Sequence, residues 1–136
     1  MKLKLWNITL ITTLLFGCQN EQKLNGNYSM CNNGEYTEVY FKKDSMRVAS
    51  ENEWVKLSEW RKIEIANDTL YFQSFGEWKD NWKAEIKLIG NNKAELHNVI
   101  TDLRFNLERI NVNLNFKNPK EFWGKFRNRQ NSENCK

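Results

Sequence analysis

The chain has 136 residues, 40% of them hydrophobic and 28% charged, with a formal net charge of +4; the length fits one ordinary domain. The charge is uneven. From Lys117 to Lys136 six basic residues (Lys117, Lys120, Lys125, Arg127, Arg129, Lys136) stand against Glu121 and Glu133, a local +4, and with Lys2 and Lys4 set aside the stretch 5–116 carries −2. A sequence pI near 9.0 on its own suggests nucleic acid, but an acidic body with a short basic tail argues against that partner. The tail reads instead as a solvated or lipid-facing segment.

At the start, Met1 to Lys4 supplies two positive charges. An apolar block then runs from Leu5 to Phe16, broken by Asn7, Thr9, Thr12 and Thr13. A membrane span needs about 20 apolar residues, so this block is too short. A basic n-region and a short apolar h-region read as a secretory signal peptide. The block ends on Leu15-Phe16-Gly17-Cys18. This resembles the bacterial lipobox, in which Leu, a small residue and Gly or Ala precede a Cys. The resemblance implies that the Cys18 thiol takes a diacylglycerol, that cleavage falls before it, and that the new N-terminus is acylated. Residues 1–17 are then a lipoprotein signal peptide and 18–24 the lipidated cysteine and a polar tether. Each buried methylene contributes about 0.8 kcal/mol, and more than one acyl chain makes anchoring stable. The lipid bilayer becomes a partner, and the bacterial cell envelope, facing the periplasm or the cell surface, the expected location. The mature chain would hold 119 residues, the 136 less the first 17.

Residues 25–116 alternate apolar and polar at period two, the pattern of half-buried strands. Val39 and Phe41 flank Tyr40; Met46 and Val48 flank Arg47; Ile63 and Ile65 flank Glu64. Trp82, Ala84, Ile86 and Leu88 share one face, and Leu103, Phe105 and Leu107 another. Strands are predicted over 26–31, 35–41, 45–50, 53–57, 60–66, 69–75, 81–89, 93–99 and 102–110. Short turns separate them at Asn32-Asn33-Gly34, Lys43-Asp44, Asn67-Asp68, Gly90-Asn91-Asn92 and Thr101-Asp102, where Asn, Asp and Gly tolerate positive φ. Short loops make each strand pair with the next, antiparallel. A meander of eight or nine strands must close to hide its edges. The expected fold is all-β: an up-and-down meander closing into a small barrel of about eight strands. Val39, Phe41, Met46, Val48, Ile63, Ile65, Leu70, Phe72, Trp82, Ala84, Ile86, Leu88, Leu96, Leu103, Phe105 and Leu107 are predicted to face inward.

The only proline, Pro119, lies outside these strands. Asn118 can cap, Pro119 suits the first helical position, and Glu121 sits three after the cap. Phe122, Trp123 and Phe126 then form one stripe. A short helix is predicted over about 119–129, within a C-terminal helix and basic tail at 117–136. Strand 69–75 has apolar groups on both faces, Leu70 and Phe72 against Tyr71 and Phe75, and its outer face is the predicted seat of the helix.

Cys31 and Cys135 remain after Cys18. In an exported chain an even pair invites one disulfide. Metal binding is the rival, but two isolated cysteines and the single His97 do not form a spaced ligand set. The opening Leu24-Asn25-Gly26-Asn27-Tyr28, the meander, the closing strand Leu103 to Ile110 and the C-terminal helix resemble the lipocalin-like lipoproteins of bacteria. Gly26-x-Tyr28 stands where lipocalins have Gly-x-Trp, and a tie from Cys31 to a C-terminal cysteine is similar to a common lipocalin disulfide. The resemblance covers roughly residues 24–130. An eight-stranded barrel is just wide enough for side chains to fill it or for one small ligand.

Catalytic chemistry is absent from the sequence pattern. His97 falls on the strand face opposite Ala94 and Leu96, the position of a surface histidine. There is no Gly-x-Ser-x-Gly, no phosphate-binding glycine loop and no His-Glu-x-x-His. The chain is therefore read as not an enzyme, without metal or cofactor. The aromatics carry more. Trp78 sits in Gly76-Glu77-Trp78-Lys79-Asp80-Asn81, a predicted hairpin tip beside Trp82, where an indole can close over an apolar ligand. Two readings follow. In the first, the barrel binds a small apolar or amphipathic ligand in a void lined by Trp82, Ile86, Phe72, Phe105 and Val39, with Trp78 at the mouth. In the second, a filled barrel presents outer aromatics such as Tyr36, Tyr40 and Tyr71 to another envelope protein.

Overall fold

The computed structural model describes residues 24–53, 56–75 and 79–135. Its strands are β1 (Gly26–Asn32), β2 (Glu35–Lys42), β3 (Ser45–Ser50), β4 (Arg61–Lys62), β5 (Glu64–Ala66), β6 (Thr69–Gln73), β7 (Asn81–Ile89), β8 (Lys93–Asn98) and β9 (Leu103–Arg109), followed by helix α1 (Pro119–Glu133). All pairings are antiparallel, in the order β4-β3-β2-β1-β9-β8-β7-β6-β5. β9 returns to β1, pairing Arg109 with Tyr28 and Glu108 with Ser29. The two edge strands are successive pieces of one stretch. Arg61 and Lys62 pair with β3, while Glu64 to Ala66 pair with β6. The meander thus forms a nearly closed barrel.

The predicted strand 60–66 is broken at Ile63, where the chain changes partners. Ile63 N donates to Asp44 O at 2.8 Å and its side chain is buried. Of the predicted strand 53–57, residues 54 and 55 lie outside the described residues, and Leu57 makes only a single bridge, to Ala49. Between the pairs Leu57–Ala49 and Arg61–Met46 this side advances four residues against three on β3. The extra residue is a bulge, which bends the strand and interrupts its ladder.

The turns fall where Asn, Asp and Gly mark them: Asn33, Gly34, Asn67, Asp68, Gly90 and Asp102 all have positive φ, as does Lys43. Alternation then directs one face of every strand inward. Tyr28, Val39, Phe41, Met46, Ile63, Leu70, Ala84, Ala94, Leu96 and Leu107 form the buried interior, and Val48, Ile65, Phe72, Ile86, Leu88 and Phe105 pack partly buried against it. Fully burying one large apolar side chain yields about 1.5–3 kcal/mol. Leu103 departs from the expected inward set. It begins β9 at the rim of the wall and stays 46% exposed.

The helix starts as its sequence dictates. Asn118 Oδ1 accepts from Glu121 N at 3.2 Å, Pro119 follows, and the C-terminal end is capped by Asn134 in the left-handed region. It runs to Glu133, one turn beyond the predicted end. Its seat also differs from the expected one. Phe122 and Phe126 pack on Tyr36, Tyr40 and Ala49, the outer face of β2 and β3, and Tyr71 on β6 remains 43% exposed. The outer face of β2 offers two tyrosines beside a small alanine, and the Phe126 ring meets Tyr36 edge-on at 5.2 Å. Tyr36 and Tyr40 are thereby covered by the chain's own helix rather than presented to a partner.

A disulfide joins Cys31 to Cys135, with Cα atoms 5.4 Å apart and a sequence separation of 104. Cys31 lies directly opposite Tyr36 in the β1–β2 ladder, so the bond fixes the end of the chain beside the helix seat. Replacing both cysteines by serine should lower unfolding stability by about 2–5 kcal/mol, the usual range for a small secreted domain, as read from chemical denaturation of wild type and variant under non-reducing conditions. Equal midpoints and slopes would mean that the helix seat alone holds the C-terminus.

Candidate functional site

An apolar pocket of about 150 Å³ lies inside the barrel, lined by Met30, Val39, Met46, Val48, Leu70, Phe72, Trp82, Ala84, Leu96 and Phe105. Four of the side chains expected around a void, Trp82, Phe72, Phe105 and Val39, are among them. Ile86 is not; it packs in the adjoining core. The Trp82 ring lies 5.8 Å from Phe72 and 6.0 Å from Phe105. Trp78, expected at the mouth, lies outside the described residues.

Two of the pocket's lining residues, Phe72 and Trp82, lie beside an interruption in the barrel wall. β5 covers β6 only as far as Tyr71, so Phe72 and Gln73 have no strand partner on that side. Arg61 spans this breach: its Nη1 donates to Ser74 O, and its guanidinium lies 4.5 Å from the centre of the Phe75 ring. A surface groove of about 610 Å³ runs over the breach, lined by Arg61, Lys62, Ile63, Glu64, Tyr71, Phe72, Gln73, Lys79, Asn81 and Trp82. Phe72 and Trp82 line both hollows, so the pocket and the groove adjoin at these two rings.

The end of the barrel where β1 begins is plugged. Leu24 and Tyr28 are buried there. Arg109 caps them, its guanidinium 4.8 Å from the Tyr28 ring centre, with Nη2 donating to Tyr28 Oη at 2.7 Å, Nη1 to Asn25 O at 3.1 Å and Nε to Asn91 O at 2.9 Å. Gly26 makes this possible: its φ is +100°, and a Cβ there would fall 2.6 Å from Arg109 Nη1. The Gly26-x-Tyr28 pattern singled out in the sequence therefore closes one end of the barrel.

A second polar cluster was not legible from motifs. Glu38 is fully buried on the outer face of β2. Arg129 Nε donates to its Oε1 at 2.7 Å and Nη2 to its Oε2 at 3.0 Å; Tyr36 Oη donates to Oε1 at 2.7 Å and Tyr40 Oη to Oε2. Every acceptor of the carboxylate faces a donor, as a buried charge requires. The only signal in the sequence is the period-two series Tyr36, Glu38, Tyr40. Burial lowers the Arg129 pKa, but the hydrogen bonds and charge of Glu38 outweigh it and hold the guanidinium above its ordinary value.

His97 stands on the outer face of β8, its Nε2 2.8 Å from Asp102 Oδ1 and its Nδ1 4.0 Å from Glu85 Oε2. Cys18 lies outside the described residues. Among those described, no three of His, Cys, Asp and Glu lie close enough to hold a metal ion, and no helix is long and apolar enough to cross a membrane. Fold and hollows together define a small antiparallel barrel with an apolar pocket beside a breach in its wall. No family model matches the chain, and no curated protein or solved structure matches it.

The Glu38 cluster generates a prediction about alkaline pH. Burial above all, then the hydrogen bond and charge of Glu38, push the Tyr36 hydroxyl far above the ordinary tyrosine range; for Tyr40 the causes are burial, then the charge, then the hydrogen bond. Groups whose pKa is raised on folding lend stability that is complete below the unfolded value, about 10, and lost as pH rises above it. Two such tyrosines should make stability fall by up to about 2.7 kcal/mol per pH unit above that value. Denaturation midpoints measured across that range should show this slope, and Tyr36→Phe with Tyr40→Phe should flatten it.

Proposed function

We propose that this protein is a lipid-anchored barrel of the bacterial cell envelope that binds a small apolar ligand in the pocket under the breach. The observation that carries the binding half is the pocket: about 150 Å³ with no polar side chain in its lining. Apolar cavities of this size stay dry and take a guest such as benzene. Pockets for drug-sized molecules start at roughly 300 Å³, so the guest is ring-sized or a short branched chain, and a long acyl chain is too large for this space. The anchoring half rests on the Leu15–Cys18 pattern. With a tether of residues 19–24 leading to the plugged end, the breach would stand clear of the acyl chains.

Benzene or indole titrated into the protein should shift the NMR resonances of Trp82, Phe72 and Phe105 saturably, and Val48→Phe, which fills the pocket, should weaken binding about tenfold or more while the fold is kept. Unmoved resonances would favour the interaction-module reading, for which the exposed Val99, Ile100 and Leu103 around the β8–β9 turn offer the contact surface. Anchoring has its own check. Cys18→Ser should move the protein out of the membrane fraction or arrest its maturation; a variant that partitions into detergent like wild type would end the lipoprotein reading.

A further inference from the structure

The pocket and the groove over the breach differ in chemistry, and the difference points to the kind of ligand. The pocket is apolar throughout. The groove is lined by three cations, Arg61, Lys62 and Lys79, against one carboxylate, Glu64. Tyr71, Phe72 and Trp82 form its apolar wall, and the last two belong to the pocket as well. Lys62 and Lys79 are exposed, so their charges are hydrated and available. Arg61 already bonds Ser74 O and lies over Phe75, which fixes its plane. A guanidinium carries five donors in a rigid fork, suited to a carboxylate or phosphate. A fixed fork loses less freedom on binding an anion than a mobile one.

We infer that the breach between β4 and β6 is the binding site of a small anionic amphiphile. Its apolar part, no larger than a ring, occupies the pocket past Phe72 and Trp82. Its acidic head, a carboxylate or a comparable singly charged oxyanion, lies in the groove against Arg61, Lys62 and Lys79. This rests on the pocket reading above and adds the head group. A neutral guest would leave the groove cations solvated and gain nothing from them. A cationic guest would meet them as like charges. A second basic hollow, lined by Lys42, Arg47 and Lys117 beside Trp60 and Phe116, shares no lining residue with the apolar pocket.

Three probes of one shape and different charge test the assignment: 3-phenylpropanoate, 3-phenylpropanol and 3-phenylpropylammonium, titrated by NMR into the full-length protein. The acid should bind about three- to tenfold more tightly than the alcohol, the range for one or two exposed cations, and the ammonium more weakly than either. The preference should shrink as salt is raised. Lys62→Gln with Lys79→Gln should remove most of the preference and leave the alcohol's affinity unchanged. Lys42→Gln with Lys117→Gln, which removes the same charge elsewhere, should leave the preference intact. Equal binding of acid and alcohol by wild type would overturn the head-group assignment and spare the pocket. Equal loss in both double variants would also overturn it, since the effect would then be one of net charge. Failure of all three probes to bind would overturn the assignment and the pocket reading together.

Discussion

A sheet of nine strands has two edges, and each edge leaves a row of backbone donors and acceptors unpaired. The barrel resolves this by making both edges out of the same six residues. The stretch 61–66 gives its first part to β3 and its last part to β6, so one segment serves as the partner of two strands that are far apart in sequence order. Ile63 is the pivot. Its N–H goes to Asp44 O, one step beyond the Ser45–Lys62 pair, the last bond on the β3 side before the chain turns to β6, and its side chain turns into the core. Everything else about the barrel follows from that exchange: the ring β1-β9-β8-β7-β6 can close onto β3 and β2 only because this segment reaches both. The closure is incomplete for the same reason. A segment six residues long cannot pair along the full length of two neighbours, so the far part of β6 is left uncovered.

The helix obeys a different constraint. A buried carboxylate with one partner removed costs about 3–5 kcal/mol, whereas the intact pair adds little over a well-packed apolar replacement. The value of Glu38 is therefore positional. It can be buried only if Arg129, Tyr36 and Tyr40 all reach it, and only one placement of the helix on β2 brings Arg129 there. Phe122 and Phe126 supply the apolar area, but aromatic faces pack in many registers. The ion pair selects among them, and the Cys31–Cys135 bond holds the end of the chain within reach. Among the described residues no buried side-chain nitrogen or oxygen lacks a partner, which is what a single, fully satisfied register produces.

Much of this was written plainly in the sequence, and the exceptions have physical causes. Period-two alternation located β1 to β3 and β6 to β9, because each has one face in the core. Asn118-Pro119 located the start of the helix because capping is local chemistry. Strand 60–66 was harder: its alternation is intact through Ile63 and Ile65, while the change of partner depends on where Asp44 lies in space, which no local pattern records. The helix seat was misjudged for a related reason. Both β2 and β6 carry large side chains on both faces, but Glu38 on the outer face of β2 counts as a solvated charge until its partner, 91 residues away, is known. The information that would have broken the tie was present. Cys31 lies opposite Tyr36 in a tight hairpin, so a bond from Cys135 to Cys31 brings the helix end to β2. The pocket was half legible: Val39, Phe72, Trp82 and Phe105 follow from alternation, whereas the basic groove depends on the breach and so on the same hidden exchange at Ile63.

The breach also explains why a pocket persists in so small a barrel. Protein interiors close-pack, and a void forfeits contacts along its whole lining. Interior side chains of an eight-strand ring suffice to fill it, and at the plugged end Leu24 and Tyr28 are buried beneath Arg109. Under the breach the situation differs, because among the described residues the strand pairing that would continue the wall stops at Tyr71. Beyond Tyr71 no described strand pairs with β6 on that side; the buried Ile63 shares the groove lining with Phe72 without a ladder joining them, and the rings of Phe72 and Trp82 meet at a tilt of 40°. Arg61 covers the gap from outside with a planar cation that lies on Phe75 and bonds Ser74 O. Such a side chain can shield apolar rings from water without filling the space beneath them. Incomplete hydrogen-bond closure, an unfilled apolar volume and a cation at its rim are therefore consequences of one event, the exchange of partners at Ile63.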